Sequence, residues 1–251
     1  MTKFLSILLA TVLLSGCANN NYKTFYTEFV DPKTHPSVTP LRSGETPELY
    51  TSKNLDQDIL TLRSKGYTAV GESAFNAGYE DPAKAIEQAK FIGASIILVN
   101  SAYTNTETST TSLLLPNNRT TYFPGGTATT YGTMVVPMSS NTRRYDQFGI
   151  YFAKLNGTPR YGIQGRDLTV DLRRELGRNT GMLIEVVGED TPVFYANVIA
   201  GDVLIRLDGK PVLDREGAIA LLGAVPESAD IVVMTVVRNG EEKDITVKLE
   251  P

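Results

Sequence analysis

The sequence predicts an α+β chain built as two modest domains. Three observations carry this. From Leu55 onward a helix-strand-helix-strand order runs to Tyr103, residues 104 to 155 read as β-segments punctuated by turns, and the residues after Gly157 hold short strands, short helices and tight hairpin turns. The 251 residues are 41% hydrophobic and 21% charged, which is ordinary globular material and enough for two cores. A formal net charge of -4 lacks the basic field that non-specific nucleic-acid binding needs, so no nucleic-acid partner is expected. One Cys and one His exclude cysteine-ligated zinc sites and internal disulfides, and no metal, cofactor or catalytic residue is expected.

The single cysteine is Cys17. Lys3 precedes an apolar run, "FLSILLATVLL" (4 to 14), too short to span a bilayer as a mature helix, and "LSGC" (14 to 17) follows it. This resembles the lipobox of bacterial lipoprotein signal peptides. The resemblance implies that residues 1–16 are removed, that Cys17 is acylated as the first mature residue, and that the chain is anchored to a membrane of the cell envelope. With Ala18 rather than Asp next, it implies the outer membrane, facing the periplasm. Several acyl chains make such an anchor stable where one would bind marginally. Residues 17–53 contain Pro32, Pro36, Pro40 and Pro47 without a sustained period, and are expected to be a tether with a short strand at "YKTFYTEF" (22 to 29). His35 lies in this segment, where nothing holds a catalytic base in position.

Residues 54–156 are expected to form an α+β domain of unknown role. Leu55, Ile59 and Leu62 recur at helical spacing before Gly66, and "YTAVG" (67 to 71) reads as a strand. "DPAKAIEQAKFIG" (81 to 93) is a second helix with Asp81 as N-cap, Pro82 at its first position and Gly93 as stop. "ASIILVNSAY" (94 to 103) is apolar enough for a strand covered on both faces. A right-handed crossover would make these two strands parallel neighbours. "GESAF" (71 to 75) has the outline of a nucleophile elbow, but Phe75 replaces the small residue such a turn requires, and Ser73 is read as a loop residue. Residues 104 to 144, rich in Thr, Ser and Asn with turns at "PNN" and "PGG", are read as long antiparallel hairpins with a mobile tip. "YDQFGIYFAKL" (145 to 155) is expected as a central aromatic strand. The domain bears a loose likeness to domains of uncharacterised bacterial lipoproteins, which implies no activity.

The segment 157–251 begins with a Gly-spaced strand start, "YGIQG" (161 to 165), then a short helix (168 to 177) with Thr169 as N-cap, and a strand, "GMLIEVV" (181 to 187). "TPVFYANVIAGDVLIRLDGKPV" (191 to 212) places a one-turn helix before Asn197, a plug residue at Val198, a Gly201-Asp202 turn, a strand, and an Asp208-Gly209 hairpin turn. A helix from about Arg215 to Leu222 follows Asp214, and a last hairpin turns at Asn239-Gly240 with Ile245, Val247 and Leu249 on one face. This order resembles a bacterial PDZ domain of the type appended to periplasmic HtrA-like proteases.

The resemblance implies a small β-barrel or sandwich with two helices, and a groove that binds protein or peptide C-termini. By position, Tyr161, Gly162 and Ile163 would hold the carboxylate, and Ile163, Gln164 and Gly165 would carry the peptide-pairing edge. Ile163, Ala218 and Leu222 would line the side-chain pocket, with Arg160 adding charge. The expected function is a lipid-anchored, non-enzymatic adaptor in envelope assembly, secretion or quality control. Two alternatives stand beside it: a hydrolase with its active site in residues 54–156 and the PDZ domain presenting substrate, and a structural envelope lipoprotein.

Overall fold

The computed structural model describes residues 19–249. Cys17 and the segment before it lie outside the described residues. Among the described residues the chain forms two six-stranded sheets that share no strand, and a separate two-stranded one.

The first sheet begins with the segment expected to be a tether. Helix α1 (Asn21–Thr24) and strands β1 (Tyr26–Glu28), β2 (Val38–Thr39) and β3 (Glu48–Thr51) are followed by α2 (Leu55–Ser64), β4 (Tyr67–Ala77), α3 (Ala83–Ile92) and β5 (Ile96–Pro116). Then come a short hairpin, β6 (Arg119–Phe123) and β7 (Gly126–Thr130), and the return strand β8 (Thr133–Leu155). The order is β1-β4-β8-β5-β3, with β2 against β8.

This corrects the sequence reading in three places. Residues 19–53 are woven into the sheet: Tyr22 is 1% exposed, β1 pairs antiparallel with Gly71–Ser73, and β3 pairs parallel with Ile96–Val99. The prolines break the segment into strands too short to show a period, but not too short to pair. β4 and β5 run parallel to one another yet are not neighbours, because β8 lies between them, antiparallel to both. Ser73 is a strand residue with no exposed surface, and its hydroxyl donates to the Tyr22 carbonyl at 2.6 Å. The glycine of "GESAF" seats an aromatic ring, since a Cβ at Gly71 would lie 2.3 Å from the Tyr26 hydroxyl.

Strand alternation sends consecutive residues to opposite faces. Ile96, Leu98 and Phe152 pack under Leu55, Ile59 and Leu62 of α2, while Ile97, Val99, Tyr151 and Ala153 pack under Ala85, Ala89 and Ile92 of α3. β8 is central and aromatic at its C-terminal half, as expected. Its N-terminal half and the far part of β5 leave the body together as a two-stranded ribbon.

The second sheet follows the expected order: β9 (Ile163–Asp167), α4 (Val170–Leu176), β10 (Met182–Val187), α5 (Pro192–Tyr195), β11 (Val203–Leu207), β12 (Lys210–Pro211), α6 (Arg215–Gly223), β13 (Ile231–Arg238) and β14 (Glu241–Lys248). Sheet order is β14-β13-β11-β10-β9, with β12 beside β11. Thr169 and Asp214 cap α4 and α6 through their side chains. Asn197 takes a left-handed φ of 61°, Val198 is 2% exposed, and the buried Asp202 carboxylate accepts the Ile199 N–H at 3.0 Å. Asp208-Gly209 and Asn239-Gly240 both have two successive positive φ values, as their hairpins require. Both domains together are α+β.

Candidate functional site

β9 is the last strand of its sheet, so among the described residues only its β10 side is paired. Its other side faces α6. Gly165 is obligatory here, because a Cβ would lie 2.4 Å from the Leu183 carbonyl oxygen of β10. A register shift in β10 between Ile184 and Val186 bends the pair at the same level.

The spacing between β9 and α6 is held at both ends. At one end Tyr161 donates its hydroxyl to the Leu222 carbonyl at 2.9 Å, and Arg160 donates to the carbonyls of Val225, at 2.9 Å, and Pro226. The Arg160 guanidinium stands 5.4 Å from the Tyr161 ring centroid. Burial pushes the Tyr161 phenol up from its ordinary value. Arg160 is therefore a clamp on the end of α6, with two carbonyls already on its fork. At the other end the Arg215 backbone N–H donates to Asp167 at 2.7 Å and its Nε donates to the Gly165 carbonyl at 3.1 Å. The Gly165 carbonyl thus points toward α6, away from β10.

Between these clamps lies the turn at Gly162. Its φ of +82° and the 2.3 Å that would separate a Cβ from the Thr191 methyl both require glycine. Its carbonyl accepts the Gly188 N–H at 2.7 Å, joining it to the loop after β10. Ile163 is half-buried and packs on the core, and Gln164 is exposed.

α6 presents a different face from the one expected. Ala218 has no exposed surface and belongs to the core, so it cannot line an open groove. Arg215 reaches β9, and helical spacing places Ile219, which is 51% exposed, and Leu222 on the same side. Arg215 and Ile219 are the residues that sequence reasoning missed. The 3.6-residue period counted from the N-cap Asp214 was the signal for them.

The loop also opens on a cleft of about 500 Å³ between the two domains, lined by Gly162, Ile163 and Gln164 on one side and Lys65, Tyr67 and Lys154 on the other. Ser64 accepts the Glu189 N–H at 2.7 Å across this boundary. Lys154 lies 4.7 Å over the Tyr67 ring. In the first domain, burial of the phenols pushes Tyr22 and Tyr26 up to about 12 and Tyr151 higher still. Among the described residues no cluster of three or more metal-ligating side chains occurs, and no helix is long and apolar enough to cross a membrane.

Residues 148–249 match the PDZ domain family, and the C-terminal domain is a PDZ domain. A probable serine protease do-like of Buchnera aphidicola subsp. Acyrthosiphon pisum (strain APS) is 32% identical over 91 residues, which are 36% of this chain. The match spans only 19% of that relative's length. Among solved structures, the HtrA3 PDZ domain bound to a phage-derived ligand is 22% identical, with 36% of this chain and 83% of that one covered at a TM-score of 0.30. The HtrA-type protease AlgW with decapeptide is 20% identical, covering 41% and 37%, also at 0.30. A PDZ domain protein from Parabacteroides distasonis ATCC 8503 is 9% identical, covering 90% and 71% at 0.21.

Proposed function

We propose that the PDZ domain captures the C-terminal segment of another protein by strand addition to β9. The observation that carries this reading is the edge itself: one side of β9 is paired, and its other side faces a helix held at a fixed distance by clamps at both ends. An added strand takes its backbone hydrogen bonds from Ile163 and Gly165. The incoming carboxylate sits at the Tyr161-Gly162-Ile163 turn, where successive backbone N–H groups form an anion nest. Ile163, Ile219 and Leu222 receive the last side chain. For the edge to become available at Gly165, Arg215 must release that carbonyl.

On this reading the chain is an adaptor rather than an enzyme. Acylation at Cys17 anchors it to the periplasmic side of the outer membrane, and its cargo belongs to envelope assembly, secretion or quality control. The anchor is tested by detergent partitioning of wild type and Cys17→Ser. A variant that still partitions with detergent removes the lipid from the proposal.

Binding is tested by titrating fluorescent peptides with random C-terminal residues against the full chain, free and amidated at the carboxyl end. Amidation removes a charge-assisted hydrogen-bond acceptor and is expected to cost at least ~1.5 kcal/mol, about a tenfold loss in affinity. Indifference to amidation would mean that internal strands are captured, and no binding by any peptide would sink the proposal.

A further inference from the structure

Strand pairing sets which way an incoming peptide points its side chains, and the first domain occupies one of those directions. Ile163 and Val187 pair, and both pack on the PDZ core, whereas Gln164 and Val186 pair on the opposite face. Gln164 is exposed, yet Val186 is only 3% exposed. The cover comes from the first domain: α2 packs against β10, and the Ser64 carbonyl accepts the Glu189 N–H just beyond that strand. Gln164 and Val186 thus form the floor of the cleft between the domains, beside the free edge of β9.

The first domain's wall of this cleft is basic. Arg63, Lys65 and Lys154 line it, and among the described residues no carboxylate lies within ion-pair distance of any of them. Lys154 donates to the Lys65 carbonyl and lies 4.7 Å over the Tyr67 ring, contacts that hold its ammonium without neutralising it. The loop after β10 adds Glu189 and Asp190, and Asp190 already accepts the Tyr195 hydroxyl at 2.9 Å. Three cations against two carboxylates leave the cleft net positive. A partly enclosed cleft of one sign concentrates the opposite charge.

We infer that the first domain reads the penultimate residue of the captured C-terminus, and that Lys65 and Lys154 select a carboxylate there. This rests on the strand-addition reading above. In an antiparallel pair, residues directly opposite one another send their side chains to the same face. A last residue whose side chain enters beside Ile163 places the penultimate one opposite Gln164, pointing to the cleft side. The preferred ligand therefore ends in Asp or Glu followed by an apolar residue. The first domain acts in binding as a second wall, one that a PDZ domain alone does not have.

The test selects peptides with free C-termini, randomised at the last four positions, against the full chain. Acidic residues are expected to be enriched at the penultimate position. The best sequence is then titrated by fluorescence anisotropy with Glu, Gln or Lys at that position. Gln is expected to bind about threefold and Lys about tenfold more weakly than Glu, the scale of one partly exposed ion pair lost and then reversed. Lys65→Glu, a change at an exposed residue, should cancel the preference. Lys65→Glu combined with Lys154→Glu should invert it, while the penalty for amidating the carboxyl end stays as in wild type. Urea unfolding checks that each variant keeps the fold. Bound peptides without a penultimate preference, or a preference that survives Lys65→Glu, overturn this inference and leave strand addition standing. A preference for Lys overturns it in favour of Glu189 and Asp190. If no peptide is selected, strand addition fails and this inference fails with it.

Discussion

Asp202 shows how far a single residue could be read before its surroundings were known. The Gly-Asp turn was legible because Asp commonly accepts turn N–H groups, and Ile199 supplies one. Its other partner was not. Arg238 comes from β13, donates Nε and Nη2 to the two carboxylate oxygens at 2.7 and 2.6 Å, and is pushed up from its ordinary value by that hydrogen bond. Nothing in local spacing announces a contact between elements so far apart in sequence. Because Asp202 has no exposed surface, Arg238→Ala should strand a buried carboxylate and cost about 3–5 kcal/mol, measurable as a shift in the urea midpoint of the PDZ domain. A shift below ~1 kcal/mol would mean that water reaches the site. Gly162→Val is predicted to abolish peptide binding without unfolding the first domain, since the new side chain must displace Thr191. Ser73, held beneath Tyr22, should not be labelled by a fluorophosphonate probe.

At the scale of elements, period and capping located the helices well, while pairing partners were only half visible. α2, α3, α4 and α6 lie where apolar spacing put them, because that signal is local, although Pro82 rather than Asp81 stands at the N-cap of α3 and Asp81 accepts the Ala83 N–H from one residue further out. The insertion of β8 between β4 and β5 depends on the long excursion from Tyr103 to Tyr145 folding back on itself, and chain order does not say on which side a return strand lands. Ala218, expected on the groove wall of α6, is a core alanine, and the exposed Ile219 lies one residue, a rotation of about 100°, away. That rotation yields a contrast. Ile219→Asp should weaken peptide binding by an order of magnitude or more, on the scale of ~1.5 kcal/mol of lost apolar contact, with little change in melting. Ala218→Trp should instead destabilise the domain, because Ala218 has no free space around it to accept an indole. If Ala218→Trp melts like wild type and only loses binding, the helix face has been assigned wrongly.

For the whole molecule, two separate sheets predict two responses to stress. Tyr22 and Tyr26 hold their protons to about 12, and Tyr151 beyond that, because burial disfavours the phenolate. The unfolded chain releases them at the ordinary 10.0, so above that pH it binds fewer protons than the folded chain. The stability these phenols contribute is therefore intact below pH 10 and lost as pH rises toward 12. The first domain should be the alkali-labile one, seen as early loss of tyrosine near-ultraviolet dichroism. A fragment from Thr158 onward should fold and melt cooperatively by itself, losing the contact of α2 with β10 and the hydrogen bond from Glu189 to Ser64. A molten, dye-binding fragment would show that the first domain completes the second core.

The order of residues 19–53 bears on reach. A flexible tether from Cys17 to Lys53 would let the body roam about 30 Å from its point of attachment, on the square-root scaling of a random chain. With the chain held against the body from Asn19, whose carbonyl accepts from Lys84, the span between Cys17 and the folded body is at most about 7 Å. If Cys17 carries the acyl chains, the body rides directly on the headgroups and sweeps a thin layer instead of a hemisphere. Neutron reflectometry on a supported bilayer would then find the protein density beginning at the membrane surface, with no solvent gap beneath it. Cargo for such a protein has to be delivered to the membrane plane, because the groove does not travel out to fetch it.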